Sequence, residues 1–131
     1  MSEIREIKKG SGTKLTKDIN SDDLDCKCSH EDCRTTVVDM KHVRKLQRRV
    51  STHWKNITIL DAYKCKRRNE EEGGSSNSYH TKGQATTFIV KGMTPDEVAE
   101  DCNNFDAVGR YKDYTYVDSR GHKARWDFRK R

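Results

Sequence analysis

Apolar residues are scarce in this chain. They make up 31% of it against 37% charged residues, and the mean hydropathy is −1.12. No stretch approaches the roughly 20 consecutive apolar residues of a membrane-crossing helix, so no span is expected. The charged N-terminal segment lacks the apolar region of a signal peptide, and the expected location is the cytoplasm. Proline occurs once, at Pro95. The five cysteines, an odd number, argue against the complete disulfide framework of a secreted protein. This leanness stops short of disorder, because the apolar residues that remain cluster in periodic segments able to form a small core. A chain of 131 residues fits one domain of ordinary size.

What is abundant is positive charge. Lys and Arg number 27 against 21 acids, giving +6 and a pI near 9.1. That balance favours anionic partners such as phosphate-bearing ligands, nucleic acid or cell wall, or else it is a solvated basic surface. Arg125 and the run Arg129-Lys130-Arg131 read as a charged tail. Cys26, Cys28, His30 and Cys33 are close enough in sequence to suggest a zinc knuckle. Structural zinc sites usually draw on two separated pairs, so reduced thiols in a tight turn are the simpler reading. The sequence leaves open whether these four hold a structural metal.

Residues 1–13 are polar, with Gly10-Ser11-Gly12 as a joint, and read as a flexible arm. Val38, Val43, Leu46, Val50 and Trp54 recur at near-helical spacing and predict a helix from Val37 to Trp54. Ile57-Thr58-Ile59-Leu60 predicts a central strand. Residues 64–78 read as a long charged, Gly/Ser-rich loop. Ala85–Val90 predicts a second strand. Thr94-Pro95-Asp96-Glu97 is a helix start with capping-box spacing, and the helix is predicted to run to about Asn103. Strands are predicted at Tyr114–Asp118 and Ala124–Phe128. The expected class is α+β, a small mostly antiparallel sheet with helices packed on one face.

Ser78-Tyr79-His80-Thr81-Lys82-Gly83-Gln84-Ala85-Thr86-Thr87 reads as S-x-H-x-x-G-x-A-x-D with the final Asp changed to Thr. This pattern resembles the zinc-binding signature of the D-Ala-D-Ala carboxypeptidase family, peptidoglycan-cleaving metallopeptidases that share a fold with the Hedgehog signalling domain. Leu15-Thr16-Lys17-Asp18-Ile19 and Asp25-Cys26-Lys27-Cys28 look like that family's opening segment. Asp61-Ala62-Tyr63-Lys64-Cys65 is similar to its S-G-Y-R-C turn, and Asn69 with Gly73-Gly74 to its N…G-G. Val108-Gly109-Arg110-Tyr111 and Thr115-Tyr116-Val117-Asp118-Ser119-Arg120-Gly121 resemble its G-x-Y…F-V-H-V-D-x-R-G, and Trp126 fits as well. The matches run in order over roughly residues 13–128. They imply a Hedgehog/DD-peptidase-like domain over 14–131.

In that family two His and one Asp bind a catalytic zinc, and the corresponding positions here are His80, Thr87 and Tyr116. Thr is a neutral hydroxyl, and Tyr ligates well only as phenolate, whose reference pKa is about 10. One good donor does not hold zinc, so neither a zinc cofactor nor a catalytic residue is expected. Were the chain active, Asp113 would sit close to where relatives carry the general base. Asp118 shares a strand face with Tyr116, with His122 just beyond.

The resemblance further implies a cleft lined by Tyr63, Lys64, Arg67, Arg68, Asn69, Ser78, Tyr79, His80, Thr87, Tyr111, Tyr116, Asp118, Arg120 and Trp126, with Lys66 nearby. Cations beside aromatic faces suit a ring bearing phosphates. The expected function is therefore a degenerate, phage-encoded peptidase-like protein that binds and sequesters a small anion. A nucleotide immune signal of the host is one such anion, which would make the protein an anti-defence factor. An active peptidoglycan carboxypeptidase or endolysin is the alternative. A nucleic-acid- or protein-binding module is a third reading, for which no nucleic-acid motif is present.

Overall fold

A computed structural model describes residues 3–75 and 78–128. Expected tail residues 129–131 lie outside them. Strand β1 (Ile4–Lys8) pairs antiparallel with β2 (Thr35–Asp39), Ile4 opposite Asp39 and Lys8 opposite Thr35. The segment expected to be a loose arm thus carries a strand. Its pattern is hard to read in sequence because four of its five residues are exposed.

Helix α1 (Met40–Thr52) follows β2 directly. Val37 and Val38, predicted to open this helix, belong to β2 instead. The run Thr35-Thr36-Val37-Val38 is β-branched throughout, and such side chains are restrained in helices and fit a pleated surface. Asp39 marks the switch, its Oδ1 accepting from the Lys41 N–H at 2.9 Å. α1 buries Met40, His42, Val43, Leu46 and Val50. Trp54 completes the core, 0% exposed, with its ring centroid 4.8 Å from Phe88 and 6.2 Å from a nearly parallel Phe105.

Five further strands form one sheet: β3 (Ile57–Asp61), β4 (Ala85–Val90), β5 (Ala107–Arg110), β6 (Thr115–Asp118) and β7 (Ala124–Asp127). Their spatial order is β3-β4-β6-β5-β7. All neighbours are antiparallel except β5 and β7. β3 was predicted to be central but forms an edge, and its register slips between Ile59 and Asp61. Its residues are only partly buried, as an edge allows. β5 was not predicted, being four residues long with a glycine inside.

Two short helices complete the domain, which is α+β as expected. Helix α2 (Lys66–Glu71) lies in the stretch read as loop. It has no apolar face and buries only Asn69, so hydrophobic periodicity could not reveal it. Helix α3 (Pro95–Glu100) has the expected capping box: Thr94 Oγ1 accepts from the Glu97 N–H at 3.2 Å, and Glu97 Oε1 from the Thr94 N–H at 2.9 Å. It stops at Glu100, three residues earlier than read.

His42 ties α1 to the sheet. Its ring nitrogens lie 2.7 Å from Ser119 Oγ and 2.9 Å from Thr86 Oγ1. Full burial pushes the imidazole pKa down to about 4, so the fold requires the neutral ring. Protonation then favours the unfolded chain, whose His titrates near 6.5. Stability from this group is complete above about pH 6.5 and is lost as pH falls toward 4, by up to about 3 kcal/mol. Urea unfolding across that range should show the decline, and His42→Gln should flatten it while lowering stability at neutral pH.

Candidate functional site

His80 sits in a 3₁₀ turn (Tyr79–Lys82) between α2 and β4. Ser78 opens the turn, its Oγ accepting from the His80 N–H at 3.3 Å. Gly83 closes it at φ +69°, where a Cβ would lie 2.3 Å from the Val37 carbonyl oxygen. A side chain is excluded there by both conformation and space. The imidazole is 7% exposed, and its Nδ1–H donates to the Ala62 carbonyl at 2.6 Å. That fixes the tautomer and makes Nε2 the unprotonated ring nitrogen. Burial lowers the pKa of His80, keeping the ring neutral.

Thr87 on β4 and Tyr116 on β6 are directly opposed across the sheet. The His80 and Tyr116 ring centroids are 5.6 Å apart, edge to face. Residues 80, 87 and 116 therefore converge. Their chemistry is not that of a zinc triad. Thr87 Oγ1 leans on the Asp61 carbonyl at 3.5 Å. The Tyr116 hydroxyl donates to Asp118 Oδ2 at 2.6 Å. Burial, followed by that carboxylate, raises the phenol pKa, which removes the phenolate a metal would need.

Asp118 is 0% exposed and is met by a two-pronged contact from Arg120: Nε donates to Oδ1 at 3.0 Å and Nη2 to Oδ2 at 2.7 Å. The Arg120 guanidinium lies 4.6 Å from the Tyr79 ring centre and 5.4 Å from that of Trp126. Trp126 packs 5.2 Å from Tyr116 and donates its indole N–H to Tyr111 Oη at 3.0 Å. Gly109 makes this possible, since a Cβ there would fall 2.5 Å from Trp126 Nε1.

The rim cations are not free. Lys64 holds Glu72 at 2.9 Å, and Arg68 holds Asp61 at 2.8 Å and Glu72 at 3.0 Å. Arg67 pairs with exposed Asp32 at 3.5 Å, and Lys82 lies over the Tyr79 ring at 4.8 Å. Lys66 is exposed on α2. Buried Asn69 donates to the Ser75 carbonyl at 2.8 Å, a structural role. Tyr63 follows β3, its phenol pushed up to about 12, chiefly by burial. The free cationic rim expected from sequence is corrected to a set of ion pairs. Sequence reading missed the partners Asp61 and Glu72, since acids scattered through a charged stretch give no sign of which cation they will meet.

Asp113 lines a cavity of about 320 Å³ with Phe88, Met93, Pro95 and Thr115, and none of His80, Thr87 or Tyr116 borders that cavity. His122 is exposed in the turn before β7. A separate depression of about 810 Å³ runs along β3 beside Lys17, Asp18, Lys27 and Lys55. It contains no His or Cys and no residue of the His80 group.

A family model described as Peptidase M15 matches residues 17–118, a span that includes His80, Thr87 and Tyr116. The chain belongs to the peptidase M15 family. No curated protein matches it. Membership places the chain among zinc D-Ala-D-Ala carboxypeptidase-like domains, and the residues at hand do not fit that zinc. Only His80 of the three positions presents a lone pair suited to it.

If Thr87 and Tyr116 are what separate this M15 domain from a metal centre, Thr87→Asp combined with Tyr116→His should create one. The double variant should take up about one additional zinc per chain relative to the parent, and His80→Ala should remove it again. Elemental analysis of the three proteins decides the matter. No gain in the double variant would mean that the three positions do not form a ligand set.

Proposed function

We propose that this M15-family domain is a binding module rather than a hydrolase, and that the residues around His80 hold a small anion carrying a planar ring. The observation that carries this reading is the Tyr116 hydroxyl given to Asp118 at 2.6 Å, in a position where a peptidase needs a metal ligand. Hydrolysis of the M15 metallopeptidase type needs a cation to generate hydroxide at neutral pH, and one imidazole does not retain one.

A nucleotide is the simplest chemistry that matches the surroundings. Tyr79, Tyr116 and Trp126 offer ring faces for stacking. Lys64 and Arg68 together grip Glu72, whose side chain is 43% exposed. Glu72 thus occupies a position that suits a phosphate, and an entering phosphate would release it to solvent. Sequestering a host nucleotide signal is the role such a protein would serve in a phage. The cost of displacing Glu72 limits affinity to the micromolar range or weaker, since each charge-assisted bond contributes about 1.5–3 kcal/mol.

Calorimetry with linear and cyclic nucleotides tests the proposal. Binding is expected for at least one of them, weakened at least about tenfold by Tyr79→Ala, and strengthened by Glu72→Gln by roughly the same factor because the competing carboxylate is gone. Uniformly absent heat would overturn it. Release of D-Ala from a D-Ala-D-Ala peptide, abolished by His80→Ala, would establish the carboxypeptidase instead. Steeply salt-dependent binding to nucleic acid strands, indifferent to both substitutions, would favour a nucleic-acid module.

A further inference from the structure

The sulfur atoms of Cys26, Cys28, Cys33 and Cys65 all lie within 4.8 Å of one another. None is in a disulfide. Three come from the loop between the first 3₁₀ turn (Ser21–Leu24) and β2, and the fourth is the residue that caps α2. Cys28 Sγ and Cys65 Sγ are 3.8 Å apart. A zinc ion with four thiolates at about 2.3 Å in a tetrahedron separates neighbouring sulfurs by about 3.8 Å. Among the described residues, this is the only group of three or more His, Cys, Asp or Glu side chains close enough to share one ion.

We propose that these four cysteines bind a structural zinc ion, distinct from the family's catalytic centre. His30, which the sequence offered as a fourth donor, turns away to Glu71 at 2.8 Å. Cys65 takes its place, a residue too distant in sequence for local spacing to reveal.

The surroundings suit a thiolate cluster. The Cys65 N–H points at Cys26 Sγ at 3.4 Å, and the Arg68 N–H at Cys65 Sγ at 3.5 Å. Lys9 reaches from beyond β1, its Nζ 3.6 Å from Cys33 Sγ and 3.8 Å from Cys28 Sγ. Four thiolates around a dication leave two net negative charges, and these donors face the sulfurs that carry them, as outer-shell groups do at metal sites. Four sulfur donors select a soft or borderline ion over calcium or magnesium, and the tetrahedral closeness selects a single ion over a multi-iron cluster.

The ion has a mechanical task. Residues 25–34 contain no strand or helix, and apart from buried Cys26 they are partly or fully exposed. A loop with so little core of its own needs a tether to the rest of the domain. Zinc supplies one, joining it to the connection between β3 and α2. That connection carries Lys64 and Arg68, so the ion also positions the cations beside Glu72.

Elemental analysis of the full chain, purified under reducing conditions without added metal, should find about one zinc per chain. His80→Ala and His30→Ala should keep it, and Cys28→Ser and Cys65→Ser should lose most of it. Cobalt exchanged into the wild-type protein should show the intense red-region absorption and sulfur-to-metal charge transfer of a tetrahedral thiolate site. Chelation should lower the melting temperature and expose residues 25–34 to protease. The wild-type cobalt spectrum and chelation remain decisive if a cysteine variant fails to fold. A metal-free chain that takes up neither zinc nor cobalt, a Cys28–Cys65 disulfide in the reduced preparation, or zinc that leaves with His80→Ala would each overturn the proposal.

Discussion

A carboxylate with no solvent contact must have its charge met inside the protein, and Asp118 is such a group. Meeting it consumes the Tyr116 hydroxyl, the Nε and Nη2 donors of the Arg120 guanidinium and the Arg120 backbone N–H. Arg120 is then held flat enough for Tyr79 and Trp126 to pack on it. Trp126 in turn lies so close over β5 that position 109 has to be glycine. The character of the whole site, aromatic and internally paired, follows from one buried charge near the end of β6.

The same bonding reaches the positions that accompany His80 in this M15-family domain. The scaffold that would present a metal ligand is intact, since His80 is oriented through Nδ1 by the Ala62 carbonyl, which makes Nε2 the unprotonated nitrogen. That is the arrangement by which metal-binding histidines are usually held. The two other positions now belong to the protein's internal bonding. Thr87 is tied to the bulged end of β3 and Tyr116 to Asp118.

Much of this was legible in the sequence because it rests on local patterns. The turn around His80 and the capping box at Thr94 are written in adjacent residues. So are the two strands that carry Thr87 and Tyr116, whose meeting was implied by the family resemblance and not by any local pattern. What escaped notice was non-local or lacked an apolar signature. Strand β1 is mostly exposed, α2 is polar throughout, and β5 is short. Cys65 joins three cysteines from another segment only through the fold. The rim cations were readable as charges, but their partners were not, because pairing such as Arg68 with Asp61 is decided by how β3 meets α2. That pairing changes the site from an open basic surface to one that is locally close to neutral.

The edge position of β3 has a consequence for how copies of the chain behave at high concentration. An open strand edge is a template on which another strand can pair. Here the register slip between Ile59 and Asp61 interrupts the regular ladder, and Lys27 donates to the Ile59 carbonyl at 3.0 Å. Lys17, Asp18, Asp22, Asp23 and Lys55 border the same strand. A second sheet approaching this edge would have to strip water from closely spaced charges of both signs and would find a broken hydrogen-bond pattern beneath. A domain lean in apolar residues is thereby guarded against edge-to-edge aggregation at one of the two edges of its five-stranded sheet.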